Sequence, residues 1–488
     1  MRSTLSRRRR PGRRPARRTA LTCALGLSLA ACSVPGAGGG GGAQELTGGR
    51  ISAPVTRGEV AELGDVELRL LVDSGDQEFL SRFVPKYEKK YPNVKVKVES
   101  KAFNDLSKTV VNTMSGTSPP DLVHGNQGYG VDGPLVQSGL IRPLDDVARA
   151  YAWDLDFPSG ATSQFRWSPD GRLYGSGNLY GISQSNEYVG VFYNREILDK
   201  AGVEPPTTWE EFTGALKAVK EEGELPLMLG NSEQYPGVQL LSTIQAQKVP
   251  VNETRAWISG VPGTTFATKG NRAAARELRA WAEKGYLGSG FNGVSSDDAV
   301  SRFTGGKGAF LVAGSWNAPA VGEKLGGDAG FVIPRTSDGR TVATGAFGLP
   351  WHISSKTKNT KAAVAFLGMM QSRSGAQAMA DSARLPVTVE GVRMPDALGR
   401  EQARTGKRLL DNDGHTFYFD WASNSMLSTI GSATQDLLTG RKGVDAYLAE
   451  VQKDWKGFQA EQAKKAAEAD GGGDGDGGDG SEARGEQP

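Results

Sequence analysis

Residues 66–99 constrain the fold more tightly than any other stretch of the chain. VELRLLV (66–72) alternates and then runs apolar as a strand, DSGD (73–76) is a polar turn, residues 77–91 carry a helical pattern, and residues 94–99 alternate cleanly as a second strand. Strand, loop, helix, strand is a βαβ unit, and sheets built from such units hold ligands in the crevice outside the carboxyl ends of their strands. Residues 73–76 are therefore a candidate rim.

The same grammar continues downstream. Residues 103–114 predict a helix, SPPD (118–121) leads into the short strand LVH (122–124), and GNQGY (125–129) brings amides and an aromatic ring to the same rim. Residues 188–193 form a β-branched and aromatic strand pattern; Asn194 can cap a helix over 194–201 that Gly202 ends, and Pro205-Pro206 blocks its continuation. Thr208 with Glu211 three residues on is a capping box launching a helix over 210–222. A strand over 225–230 ends in NSEQY (231–235), helices are predicted over 238–247, 272–284 and 297–303, and a strand over 309–313 ends in GSWN (314–317). GGKGAF (305–310) lacks the Ser or Thr after Lys and the spacing of a P-loop, so it reads as a tight turn.

At 488 residues the chain exceeds what one hydrophobic core serves, and two lobes of roughly 150–200 residues are expected. The formal charge of +2 includes nine arginines and no acid within residues 1–31; without them the remainder carries −7. A basic arm alone would suit nucleic acid or an anionic surface. Here an apolar run over 19–30 follows it directly, which is the layout of a signal peptide and too short to span a bilayer of ~20 helical residues. No nucleic-acid partner is therefore expected. The run ends in Leu29-Ala30-Ala31-Cys32, similar to the lipobox of bacterial lipoproteins, which predicts lipidation of Cys32 and removal of residues 1–31; Arg17-Arg18 is a weak match to twin-arginine export. Cys23 lies in the leader and Cys32 would carry lipid, so the mature fold has no disulfide and no thiolate metal site.

Several longer segments carry a family resemblance. They are YN (193–194) with its helix, proline pair and TWEE (208–211); LVQSGLIRPLDD (135–146); RFTGGKGAFLVAGSW (302–316); TGAFGLPWHI (344–353) with SSKTKNTKAAVAFLGMMQS (354–372); and FYFDW (417–421) with the helices predicted after it. In order and spacing these are similar to the family 1 extracellular solute-binding proteins of ABC importers, over about residues 65–460. The resemblance implies an α/β, two-lobed periplasmic-binding-protein-like (type II) fold with hinge-linked lobes and an interlobe ligand cleft. It further implies a binding protein rather than an enzyme, without cofactor or metal, working as a lipid-anchored monomer. Its place would be the extracytoplasmic face of the cell membrane, where it delivers ligand to the transmembrane subunits of an ABC permease. The expected organisation is a tether over 32–57, one lobe over 58–180 and 341–405, the other over 181–340 and 406–465, and a disordered Gly/Asp tail over 466–488.

Sugar recognition needs flat aromatic faces for the C–H side of a pyranose, and carboxylates or amides for its hydroxyls. The expected strand ends supply Asp76, Asn126 and Gln127 from one lobe and Glu187, Glu233, Tyr235 and Trp316 from the other; Trp351, Arg384 and Trp421 are further candidates. Of these, Glu187, Glu233 and Trp316 resemble most closely the family's maltodextrin-type binders in position. The expected ligand is an oligosaccharide. Two alternatives stay open: a non-sugar ligand such as a polyamine, an amino acid derivative or a glycerol phosphodiester, and a secreted glycosidase using paired acids such as Glu187 and Glu233. His124, His352 and His415 are scattered without metal-ligand spacing, and no G-x-S-x-G or H-E-x-x-H occurs.

Overall fold

In the computed structural model, which describes residues 49–153 and 161–471, the strands follow the order β1 (Val66–Asp73), β2 (Val94–Lys101), β3 (Leu122–His124), β4 (Arg166–Trp167), β5 (Asn178–Leu179), β6 (Asn186–Asn194), β7 (Leu227–Met228), β8 (Phe310–Gly314), β9 (Ala329–Val332), β10 (Gly345–Phe347) and β11 (Trp351–Ile353). The expected signal peptide, Cys32 and residues 472–488 lie outside the described residues.

The first sheet has the order β11-β3-β1-β2, with β1 parallel to β2 and β3, and β11 antiparallel to β3. Helix Gln77–Lys90 makes the crossover from β1 to β2 and buries Phe79, Leu80, Phe83 and Tyr87 along one face, the i, i+4, i+8 stripe of an amphipathic helix. Phe83 and Tyr87 meet Phe366 of helix Thr360–Met370 edge-on at 5.1 and 5.0 Å. The second sheet has the order β10-β6-β8-β7, with β9 also on β6. Nearly all of β6 is buried, and Gly190 within it lets the Phe331 ring lie on the backbone: a Cβ there would sit 2.2 Å from that ring.

The chain passes between the two sheets three times. Residues 180–186, 348–350 and 383–387 cross side by side, with Asn186 N–H donating to Leu385 O (2.9 Å), Gly348 N–H to Ser185 O (2.8 Å) and Val387 N–H to Gln184 O (2.9 Å). Three short extended segments bonded to one another are a pivot: a few residues able to absorb the φ/ψ change of a hinge.

Some expected boundaries differ. β10 completes the edge of the second sheet beside β6, so the passage back to the first sheet falls at 348–350 rather than 341. Helix Ala397–Asp411 packs on β9, which moves the third passage to about 383–387 rather than 406. The expected tether ends before Ile51: Ile51 and Val55 are buried, Ile51 N–H donates to Asp146 Oδ2 at 2.8 Å, and Thr56 caps helix Arg57–Ala61. At the other end helix Val444–Gly471 continues past residue 465.

Candidate functional site

A cavity of about 150 Å³ lies between the lobes, where the carboxyl ends of β1 and β3 face β6, β8 and residues 418–421. Asp73 ends β1; its Oδ1 accepts from Gly75 N–H at 2.9 Å, which turns the chain so that Asp76 follows at the start of helix Gln77–Lys90. Asn126 and Gln127 follow β3. Asn126 N–H donates to Asp132 Oδ1 (3.0 Å), and its side-chain amide reaches across to Asp420 Oδ2 (3.1 Å). Gln127 lines the cavity, and its Nε2 donates to Phe347 O (2.8 Å) at the end of β10 and to Gly348 O (3.0 Å) in the crossing that follows.

On the other wall Glu187 stands near the start of β6, Trp316 just beyond β8, and Tyr235 at the start of helix Tyr235–Gln245. The Trp316 ring lies flat on Gly314, where a Cβ would come within 2.2 Å of three of its atoms, so only glycine admits this pose. Phe103 and Tyr235 face each other across the mouth, edge to face, with centroids 6.3 Å apart. Tyr418 and Asp420 complete this wall.

Arg384 sits in the third crossing segment, 6% exposed, and forms ion pairs with Asp76 and with Glu187 while donating to Gly75 O at 2.9 Å. Burial works against a charged Asp76, yet Arg384, the neighbouring His124 and the Gln184 amide together hold this carboxyl below the usual range. Asp73 and Asp420 differ. Burial pushes each up to about 6, against the opposing hydrogen bonds from Gly75 and from Asn126. His124, behind Asp76, is driven down to about 4 by burial and is neutral at pH 7.

Of the ten expected residues, eight line this cavity: Asp76, Asn126, Gln127, Glu187, Tyr235, Trp316, Arg384 and Trp421. Two do not. Trp351 is fully buried in the first-lobe core, 4.2 Å from the His124 ring and 5.8 Å from Phe366, because it starts the edge strand β11, whose pairing with β3 sets its ring against His124 and helix Thr360–Met370. Glu233 stands outside the cavity wall and accepts from Ser296 N–H at 2.9 Å, at the first turn of helix Ser296–Thr304. Trp421 is only 1% exposed and is packed against Phe417 and Tyr418, both at 5.4 Å, so it backs the wall more than it presents a face. Residue-level reading missed Phe103, Tyr418 and Asp420 as wall residues. Phe103 lies just past the carboxyl end of β2, where the strand-end rule alone would have found it.

Among the described residues no group of three or more His, Cys, Asp or Glu is placed to hold a metal ion, and no helix is long and apolar enough to cross a membrane. The wall offers carboxylates and amides to accept and donate, and aromatic faces to stack.

Comparison with known proteins gives a consistent result. A family model described as "Bacterial extracellular solute-binding protein" matches residues 73–377. The "Multiple sugar-binding protein" of Streptococcus mutans serotype c is 26% identical over 276 residues, 52% of this chain and 65% of that protein. The chain thus spans just under two thirds of that relative's length. The "Alpha-glucosides-binding periplasmic protein AglE" of Rhizobium meliloti is 25% identical over 402 residues, 78% of this chain and 85% of its own. Among solved structures, a "Chitin oligosaccharide binding protein" superposes with a TM-score of 0.70 at 20% identity, over 81% of this chain and 99% of that one, a likeness of fold.

Proposed function

The chain belongs to the bacterial extracellular solute-binding proteins, and from that premise we propose that it is the substrate-capturing subunit of an ABC importer whose solute is an oligosaccharide. The observation that carries this reading is the interlobe cavity, to which one lobe brings Asp76 and Asn126 and the other Glu187, Tyr235 and Trp316. Carboxylates and amides suit sugar hydroxyls, and Trp316 and Tyr235 suit the apolar face of a pyranose. The relatives' names, one for multiple sugars and one for alpha-glucosides, support the same class.

Closing two lobes costs conformational and solvation free energy, offset only when a solute contacts both at once. The solute thereby selects the closed form, which the transmembrane permease subunits read. In this proposal the protein binds without turnover. Glu233, the acid that pairs with Glu187 in a glycosidase reading, is engaged outside the cavity by Ser296. The leader over 1–31 would be removed and Cys32 would carry the lipid, leaving a monomer tethered to the extracytoplasmic face of the cell membrane.

A melting-temperature screen of the purified protein against oligosaccharides, amino acids and polyamines tests the reading. An oligosaccharide at 100 times its dissociation constant adds about 2.7 kcal/mol to folded-state stability. Trp316→Ala is expected to weaken that oligosaccharide by roughly 30-fold, about 2 kcal/mol, with the sugar recovered chemically unchanged. Stabilisation by amino acids alone contradicts the substrate class, and cleavage of the sugar contradicts the binding role.

A further inference from the structure

The cavity carries more negative charge than its one arginine neutralises. Asp73, Asp76, Glu187 and Asp420 line it, and among the described residues Arg384 is the one basic residue on the wall. Arg384 is already engaged by Asp76 and Glu187. Among the described residues neither Asp73 nor Asp420 has an ion-pair partner, and each uses one oxygen only, Asp73 Oδ1 toward Gly75 N–H and Asp420 Oδ2 toward the Asn126 amide. His124 does not help: its Nδ1 accepts from Asp73 N–H at 3.2 Å, and burial keeps it neutral. Burial raises both carboxyls to about 6, and at Asp73 the repulsion of Asp76 and Glu187 adds to it while Gly75 N–H and the more distant Arg384 oppose it.

A second, independent observation concerns the rings. Phe103 from one lobe and Tyr235, Trp316 and Tyr418 from the other line the same space. The Tyr418 hydroxyl is buried without a hydrogen-bond partner among the described residues, in the neighbourhood of Glu187 and Asp420. Aromatic faces carry the negative side of the ring quadrupole and attract cations, most strongly when water is excluded. Rings and unpaired carboxylates thus ask for the same sign of charge.

We propose that the solute is a saccharide bearing a protonated amine, an amino sugar, whose ammonium lies between Asp73 of the first lobe and Asp420 of the second. This deepens the oligosaccharide reading and rests on it. Because the two carboxylates belong to different lobes, the ammonium is paired twice only when the lobes are closed. The cation therefore contributes to closure as well as to affinity. A neutral sugar covers these two half-buried carboxyls without supplying a counter-charge, which costs free energy.

The test is calorimetric titration of the purified protein with glucosamine di- and trisaccharides, their N-acetylated counterparts, neutral glucose oligosaccharides and spermidine. The amine-bearing saccharides are expected to bind at least about tenfold more tightly than the N-acetylated forms. Asp420→Asn and Asp73→Asn should each cut amine affinity by about tenfold, lower it more than they lower that of the N-acetylated sugar, and leave the free protein's melting temperature unchanged or raised. The last readout excludes misfolding as the cause. Equal or tighter binding of a neutral or N-acetylated oligosaccharide overturns the proposal while the oligosaccharide reading stands. So does unchanged amine affinity in both variants. Binding of spermidine with no binding of any saccharide overturns both.

Discussion

Arg384 joins the two walls of the cavity: Asp76 follows a first-sheet strand, Glu187 opens a second-sheet strand, and the guanidinium between them rides on the pivot. Such a buried network is a weak source of net stability, but breaking it is expensive, because carboxylates are left without their cation. Arg384→Met is expected to lower unfolding stability by about 3–5 kcal/mol in urea titrations; a loss under about 1 kcal/mol, the range of exposed pairs, would mean that water already compensates the two acids. Trp316 and Trp351 show how far single residues can be read from sequence. Both lie at ends of apolar runs with strand character, yet one lies on Gly314 at the cavity and the other is sealed against His124 and Phe366. Sequence gives the residue type and the strand end; which face of the strand looks at the cleft depends on sheet order, which the local pattern does not encode.

At the scale of elements most of the fold was legible. The βαβ unit of residues 66–101, the Asn194 cap and the Thr208–Glu211 capping box all follow from local chemistry. In the structure Thr208 Oγ accepts from Glu211 N–H (3.2 Å) and Glu211 Oε2 accepts from Thr208 N–H (3.1 Å). Thr208→Ala should cost about 1 kcal/mol in denaturant unfolding and leave solute affinity untouched, since helix Trp209–Glu221 serves the second-lobe core through Phe212, Leu216 and Val219. An unchanged midpoint would mean that the Glu211 carboxylate, which also accepts from Thr207 N–H and Oγ1, fixes the helix start without the Thr208 hydroxyl. The lobe boundaries were less legible. TGAFGLPWHI reads as one apolar run, but the chain leaves one sheet after Phe347 and enters the other at Trp351, and Gly348 and Pro350 alone mark the break. Asp420 escaped for a similar reason: it sits in the short helical turn Phe419–Ala422, whose aromatic neighbours suggest core, and becomes a wall residue only through the fold of helices around it.

For the whole molecule, three crossing segments hydrogen-bonded side by side form the pivot, and the walls on either side of it supply complementary halves of one site. Phe103 facing Tyr235 and the Asn126 amide on Asp420 Oδ2 are contacts that exist only when the lobes are together. The lobes also meet behind the cavity, where Tyr129 N–H donates to Trp421 O at 3.1 Å and the Tyr129 ring lies 4.7 Å from Phe458, and a solute between the walls adds to these contacts. Small-angle scattering of the purified protein, with and without the saccharide that stabilises it, tests this most directly. The account predicts a smaller radius of gyration when that saccharide saturates the protein, and no compaction in Trp316→Ala at the same concentration. A saturating saccharide that leaves the radius of gyration unchanged would contradict capture between closing lobes.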